Sequence, residues 1–203
     1  MASKDKQTEA EALAIQEARR AHNARLVSII NPVQAAERNM DYPWPDVAHY
    51  LTKMGQGYGG LDMSPDFQRG HKWTPEQQVR FIESALRGAA PRNSFMIQFN
   101  CPNWNEDDIP SDLPRGLQCI DGLQRYTAVQ AFMSGELQPF GLTLHDLQGS
   151  KFSPDRIHFH VGIFVFQKKV DLLNHYLDFN GAGVAHEPAE LERVRAMRDA
   201  LTA

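Results

Sequence analysis

Two short runs in this sequence group the side chains that handle anions and protons. The first is Cys119-Ile120-Asp121-Gly122-Leu123-Gln124-Arg125, which sets a carboxylate, a glycine, an amide and a guanidinium within one turn of chain. Leu117 to Ile120 reads as a buried strand and a helical pattern starts at about Gly122, so a strand runs directly into a helix. The first amides of such a helix lack partners within it, and together with the helix dipole they favour an anion. Gly122 would leave a phosphate free to approach closely. Arg125, in the first turn, could add a bidentate contact to phosphate oxygens. The same residues have a structural use: Asp121 suits the capping position, and Gln124 three residues on could complete a capping box. Both uses stand open at this level.

The second run is Pro65-Asp66-Phe67-Gln68-Arg69-Gly70, outside any strong periodic pattern. Polar clusters in such loops are either satisfied turns or binding groups. Two Gln-Arg pairs facing one cleft would bind an oxyanion, although spacing alone does not bring them together.

Other candidates are weaker. His158 and His160 alternate on a strand and share a face, but no third metal ligand accompanies them, and hydrogen-bonded sheet packing is the expectation. Cys101 and Cys119 form neither a CxxC pair nor part of a zinc set. Glu106, Asp107, Asp108 and Asp112 fall in a turn-rich segment and read as a solvated loop. Trp73, beside a helix start, is expected to anchor the core rather than stack on a base. Glu190 reads as a first-turn residue of the last helix. No Ser/His/Asp or Cys/His arrangement stands out, and there is no P-loop. No metal is expected to be held by the chain itself.

The elements that must position these groups follow from periodicity and punctuation. Residues 5–30 predict a helix with small apolar residues at helical spacing, suited to shallow docking on the domain or on another copy of the chain. Pro32, Pro43 and Pro45 predict a connecting segment over 31–45. A helix is expected from Asp46 to about Met54, ended by the run Gly55, Gly57, Gly59, Gly60. Thr74-Pro75-Glu76-Gln77 predicts a capping box, followed by a helix with Val79, Ile82, Ala85 and Leu86 on one face and Gly88 at its end. Strands are expected at 94–99 and, centrally in the sheet, at 157–166. The helix after Gly122 buries Tyr126, Val129, Phe132 and Met133 and stops at Gly135. Helices over 169–177 and 188–201 close the chain. Without a regular βαβ rhythm, the class is α+β, with a helical arm and linker over 1–45 and one domain over 46–203.

The order Asp66-Phe67-Gln68-Arg69-Gly70, Trp73, Asp121-Gly122-Leu123-Gln124-Arg125, then Phe179-Asn180-Gly181-Ala182-Gly183 with Glu190 downstream, resembles the N-terminal domain family of GmrSD-type restriction enzymes. That family carries a "(F/Y)QR" motif, a tryptophan soon after, a "DGQQR" motif opening a helix and an "F..N..G" segment. The similar stretch runs from about Leu61 to Met197. The resemblance implies a ParB/sulfiredoxin-like domain, a small mixed sheet flanked by helices. It also implies a site for a nucleoside triphosphate (NTP), with or without Mg2+, that would bind and could hydrolyse it in support of DNA restriction, anti-phage defence or a phage's response to it. Carried over, Gln68, Arg69, Gly122, Arg125 and Asn180 would bind the nucleotide, with Gly183 in the same cleft. Asp121, Gln124 and Asp66 would be catalytic, a carboxylate orienting water or a metal-bound phosphate.

Two departures qualify that carry-over. Leu123 stands where the motif has its first glutamine, which favours binding over efficient turnover. No histidine has the surroundings of the family's HNH nuclease domain, so nuclease activity is not expected and DNA or a separate nuclease or defence protein would be partners. A non-enzymatic ParB-like DNA-binding or adaptor module is the alternative.

Composition bounds these readings. Apolar residues make up 42% and charged residues 23%, which is ordinary for a globular chain and argues against disorder. A net charge of -4 argues against a general nucleic-acid coat, though not against a local basic site. No apolar run approaches the roughly 20 residues that span a bilayer, and two cysteines do not make a disulfide framework. A cytoplasmic location without a membrane is expected, with homo-oligomers through the N-terminal helix as one further association.

Overall fold

The computed structural model describes residues 2–68, 70, 72–105, 110–181 and 188–202. They form two units, Met1–Gln34 and Ala35–Ala203. The first unit contains one long helix, α1 (Ala2–Ile30).

The second unit is built on a five-stranded mixed sheet, in the order β1-β5-β3-β4-β2. The strands are β1 (Arg38–Pro43), β2 (Leu61–Asp62), β3 (Met96–Asn100), β4 (Leu117–Asp121) and β5 (His158–Phe164). β1 runs antiparallel to β5, β5 parallel to β3, β3 antiparallel to β4, and β4 parallel to β2. The mixture of directions confirms the α+β class. The expected connecting segment over 31–45 proves to contain a strand: Met40 and Tyr42 pack on the core as partly buried residues, and Trp44 is fully buried. Prolines 32 and 43 obscured it because each falls outside or at the end of the strand, where the missing N–H costs the ladder little.

Strand alternation supplies the two faces. Ile97, Phe99, Leu117, Cys119, Phe159, Val161 and Ile163 point to one face. They are covered by α2 (Val47–Tyr58), α3 (Pro75–Leu86) and α4 (Leu123–Met133) through Val47, Leu51, Ile82, Ala85, Val129 and Phe132. Ile120 and Phe164 point to the other face, where α6 (Lys169–Gly181) and α7 (Pro188–Thr202) bury Leu172, Leu173, Tyr176 and Val194. A one-turn helix, α5 (Leu144–Leu147), lies between α4 and β5 in sequence.

The capping box on α3 forms as its residues predict: Gln77 N–H donates to Thr74 Oγ1 at 3.4 Å, and Thr74 N–H donates to Gln77 Oε1 at 2.9 Å. α2 outruns its predicted end by four residues, to Tyr58, and passes through two glycines. Gly55 is needed there by packing, since a Cβ would lie 2.8 Å from Leu61 Cβ. β5 is interior in the sheet as expected, but it has fewer apolar residues on its second face than its composition suggested. His158 and His160 occupy that face, and His160 Nδ1 lies 2.6 Å from Asp41 Oδ1 on β1.

Candidate functional site

The strand-to-helix turn at Asp121 is set by a close approach of two backbones. Gly122 has φ 103° and a Cβ there would stand 3.0 Å from both Ile97 Cα and Met96 O. Only glycine tolerates that combination of left-handed backbone and contact. The glycine therefore seats the turn against β3, which corrects the expectation that it clears a path for phosphate on that side. Gly122, not Asp121, is the residue that precedes the helix, and no side chain caps it. The expected capping box with Gln124 does not form, because both residues are engaged elsewhere.

Asp121 pairs with Arg125, one turn along, through Oδ2 and a guanidinium nitrogen. The same guanidinium donates to Met96 O at 3.0 Å, while its buried Nε has no partner. Each side chain is 20% exposed, so the pair sits at the rim of the turn, reachable from solvent. Gln124 reaches across to the other motif. Its Oε1 accepts from the backbone N–H groups of Lys72 at 2.7 Å and Trp73 at 2.9 Å, and its Nε2 donates to Gly70 O at 3.2 Å. Gln68 makes the second bridge. β2 pairs with only Leu117 and Gln118 of β4, and beyond them Gln68 Nε2 donates to Ile120 O at 3.0 Å.

The two runs are thus neighbours: one amide side chain from each grips the other's backbone. Gln68 Oε1 is buried without a partner. Burial pushes the pKa of the Cys119 thiol beside it up to about 12, which favours the protonated form near neutral pH.

The remaining expected residues lie on the α6/α7 side. Asp66 pairs with Lys169 at the start of α6. Arg193 of α7 donates to the carbonyls of Asp66 and Phe67, both at 2.7 Å. Asn180 is buried and donates to Tyr176 O at 2.9 Å within α6. Glu190, also buried, accepts the Tyr176 hydroxyl at 2.7 Å. Arg69 and Gly183 lie outside the described residues. Among the described residues no group of three or more His, Cys, Asp or Glu side chains could hold a metal ion.

Lys169, Tyr176 and Arg193 were not foreseen as part of this neighbourhood. One signal was available: Tyr176 and Asn180, like Glu190 and Arg193, are spaced to share a helix face. Trp73 packs on the core with its ring centroid 5.5 Å from that of Phe81, as a core anchor should.

Fold and site together define an α+β domain in which a strand-Asp-Gly-helix turn is docked to a Gln-bearing loop. The sequence profile described as the N-terminal domain of GmrSD restriction endonuclease matches residues 47–191. The chain belongs to that family. No curated protein and no solved structure gives a significant match. No helix among the described residues is long and apolar enough to cross a membrane.

Proposed function

We propose that the chain binds a nucleoside triphosphate at the turn between β4 and α4. The observation that carries this reading is the docking of the two motif runs through Gln68 and Gln124. It sets an uncapped helix N-terminus and the partly exposed Arg125 next to a turn whose Gln124 holds the backbone of Gly70, Lys72 and Trp73. Helix amides and guanidinium groups are the usual partners of phosphate oxygens. In this reading Gln124 acts by holding the Gly70 to Trp73 backbone, since its amide is engaged there on both sides.

The donor set suits a nucleotide better than a resident metal. Asp121 is a single carboxylate, and Mg2+ is typically held by one or two carboxylates with phosphate oxygens and water completing its shell. The ion would therefore arrive with the nucleotide, competing with Arg125 for Asp121. Binding is the primary activity, and hydrolysis a slow second step for which Asp121 would orient water. Asp66, tied to Lys169, serves the loop's position first.

Family membership supports a role in DNA restriction, and in this reading a nuclease or DNA would be the partner. The narrower ParB/sulfiredoxin-like assignment and a cytoplasmic setting rest on the same membership. Two free, buried thiols fit a reducing compartment.

Calorimetric titration with ATP and GTP, with and without Mg2+, tests the proposal. Saturable binding that weakens in Arg125→Ala supports it. No heat with any nucleotide, from a chain shown to be folded, overturns it.

A further inference from the structure

The polar residues of the site are seated on the α6/α7 pair by the apolar residues that precede them. Phe67 comes before Gln68 and Ile120 before Asp121, and both apolar side chains are buried in the cluster that holds Leu172, Tyr176 and Val194. The Phe67 ring meets that of Tyr176 edge-on, with centroids 5.7 Å apart. Tyr176 in turn donates to Glu190, in the first turn of α7.

The two anchors are fixed by different means. Ile120 lies within β4, which the ladder to β3 holds in place. Phe67 has no such support, since β2 ends at Asp62 and the chain beyond it depends on turns and side-chain contacts. Arg193 supplies the closest of these. Its Nη1 donates to Asp66 O and its Nη2 to Phe67 O, both at 2.7 Å. A planar guanidinium that holds two successive carbonyls fixes the orientation of both peptide groups as well as their position. The second of those groups also carries Gln68 N–H, which donates to Pro65 O at 2.9 Å. Arg193 therefore sets the direction in which the Gln68 side chain leaves for Ile120 O. Lys169 of α6 holds the Asp66 carboxylate, so both closing helices grip the run.

Arg193 makes its two bonds only while α7 is docked through the buried Val194 beside it. We propose that Arg193 is a positioning residue of the nucleotide site, and that nucleotide binding at the β4 to α4 turn is thereby coupled to the docking of α7. The inference rests on the nucleotide reading above. With α7 in place, Gln68 stands fixed against β4 beside Asp121 and Arg125; without it, Asp66 and Phe67 lose their donor. Such coupling is reciprocal, so nucleotide tightens α7 by the factor that α7 docking adds to nucleotide affinity. A partner that draws α7 away would release the nucleotide.

Amide hydrogen exchange of the full chain, with and without MgATP or MgGTP, tests this beside nucleotide titration. In the parent, saturating nucleotide should slow exchange about tenfold at Gln68 and over residues 191–197, where local opening of α7 is read. Arg193→Ala should bind about tenfold more weakly, and at equal saturation nucleotide should no longer slow exchange in α7. Arg193→Lys, which keeps a donor for the carbonyls, should recover part of both effects. Arg195→Ala removes an equal charge from the same helix, where Arg195 pairs with Glu192, and should match the parent. Parent-like binding by Arg193→Ala, or unchanged α7 exchange in the nucleotide-bound parent, would overturn the inference and leave the nucleotide site standing. Equal losses in Arg195→Ala would reduce the effect to net charge and overturn it too. A parent that binds neither nucleotide removes the site itself, and this inference with it.

Discussion

Gln124 Oε1 accepts the backbone N–H of Trp73 at 2.9 Å, joining residues 51 positions apart. The same oxygen accepts from Lys72, so one side chain substitutes for a stretch of strand pairing that the loop cannot make. Gln124→Ala should cost about 1–3 kcal/mol, the range for leaving such groups unsatisfied. It should also speed amide exchange at Lys72 and Trp73. Gln124→Glu keeps the acceptor and should retain most of that protection. Unchanged exchange in the alanine variant would show that the loop is held by other means.

Arg125 has two duties that one substitution removes together. Arg125→Ala should lower nucleotide affinity about tenfold, equivalent to about 1.4 kcal/mol. It should also lower folding stability by about 1–3 kcal/mol, because Asp121 and Met96 O lose their donor. Denaturant unfolding measured beside binding separates the two. A variant that is destabilised but binds nucleotide normally would confine Arg125 to a structural role.

Leu123 stands where the family's motif has a glutamine, and the structure shows what that side chain does instead. It is 8% exposed and belongs to the main core, which favours packing. Leu123→Gln should therefore destabilise the domain by about 1–3 kcal/mol, the cost of burying an unpaired amide, and bring no gain in hydrolysis. A folded variant that releases phosphate faster than the parent would reverse this conclusion.

His175 should give the stability a pH dependence. Its ring is buried, with centroids of Phe164, Phe166 and Phe179 at 4.4, 5.1 and 6.2 Å. Burial holds its pKa below the usual 6.5, with Asp178 opposing the shift. The unfolded chain then binds the proton more readily than the folded one. Its contribution to stability is complete above about pH 6.5 and drains away as pH falls through the lowered folded value. Urea unfolding of the parent and of His175→Phe between pH 7.5 and 5.5 checks the sign. The variant should lose less stability over that range, and equal losses would refute the assignment.

Much of the scaffold was legible because its signals are local. The Thr74 box, the apolar faces of α3 and α4 and the alternation of Phe159, Val161 and Ile163 depend on neighbours a few residues away. The strand-to-helix turn at Asp121 was legible too, as were its candidate residues. The use of those residues was not, because hydrogen-bond partners in this site come from distant segments. Gly122 looked like room for a ligand until β3 was found against it, and Asp121 looked like a cap until Arg125 was found in reach. β1 was hidden for a similar reason. Its half-buried residues show an apolar pattern only once β5 and the core supply the environment, whereas its prolines are visible in the chain alone. The sequence by itself determined which segments become helices or interior strands and which two runs hold the polar groups. Only the tertiary structure decided that those runs meet, with Gln68 and Gln124 spent on joining them and Arg125 left at the rim.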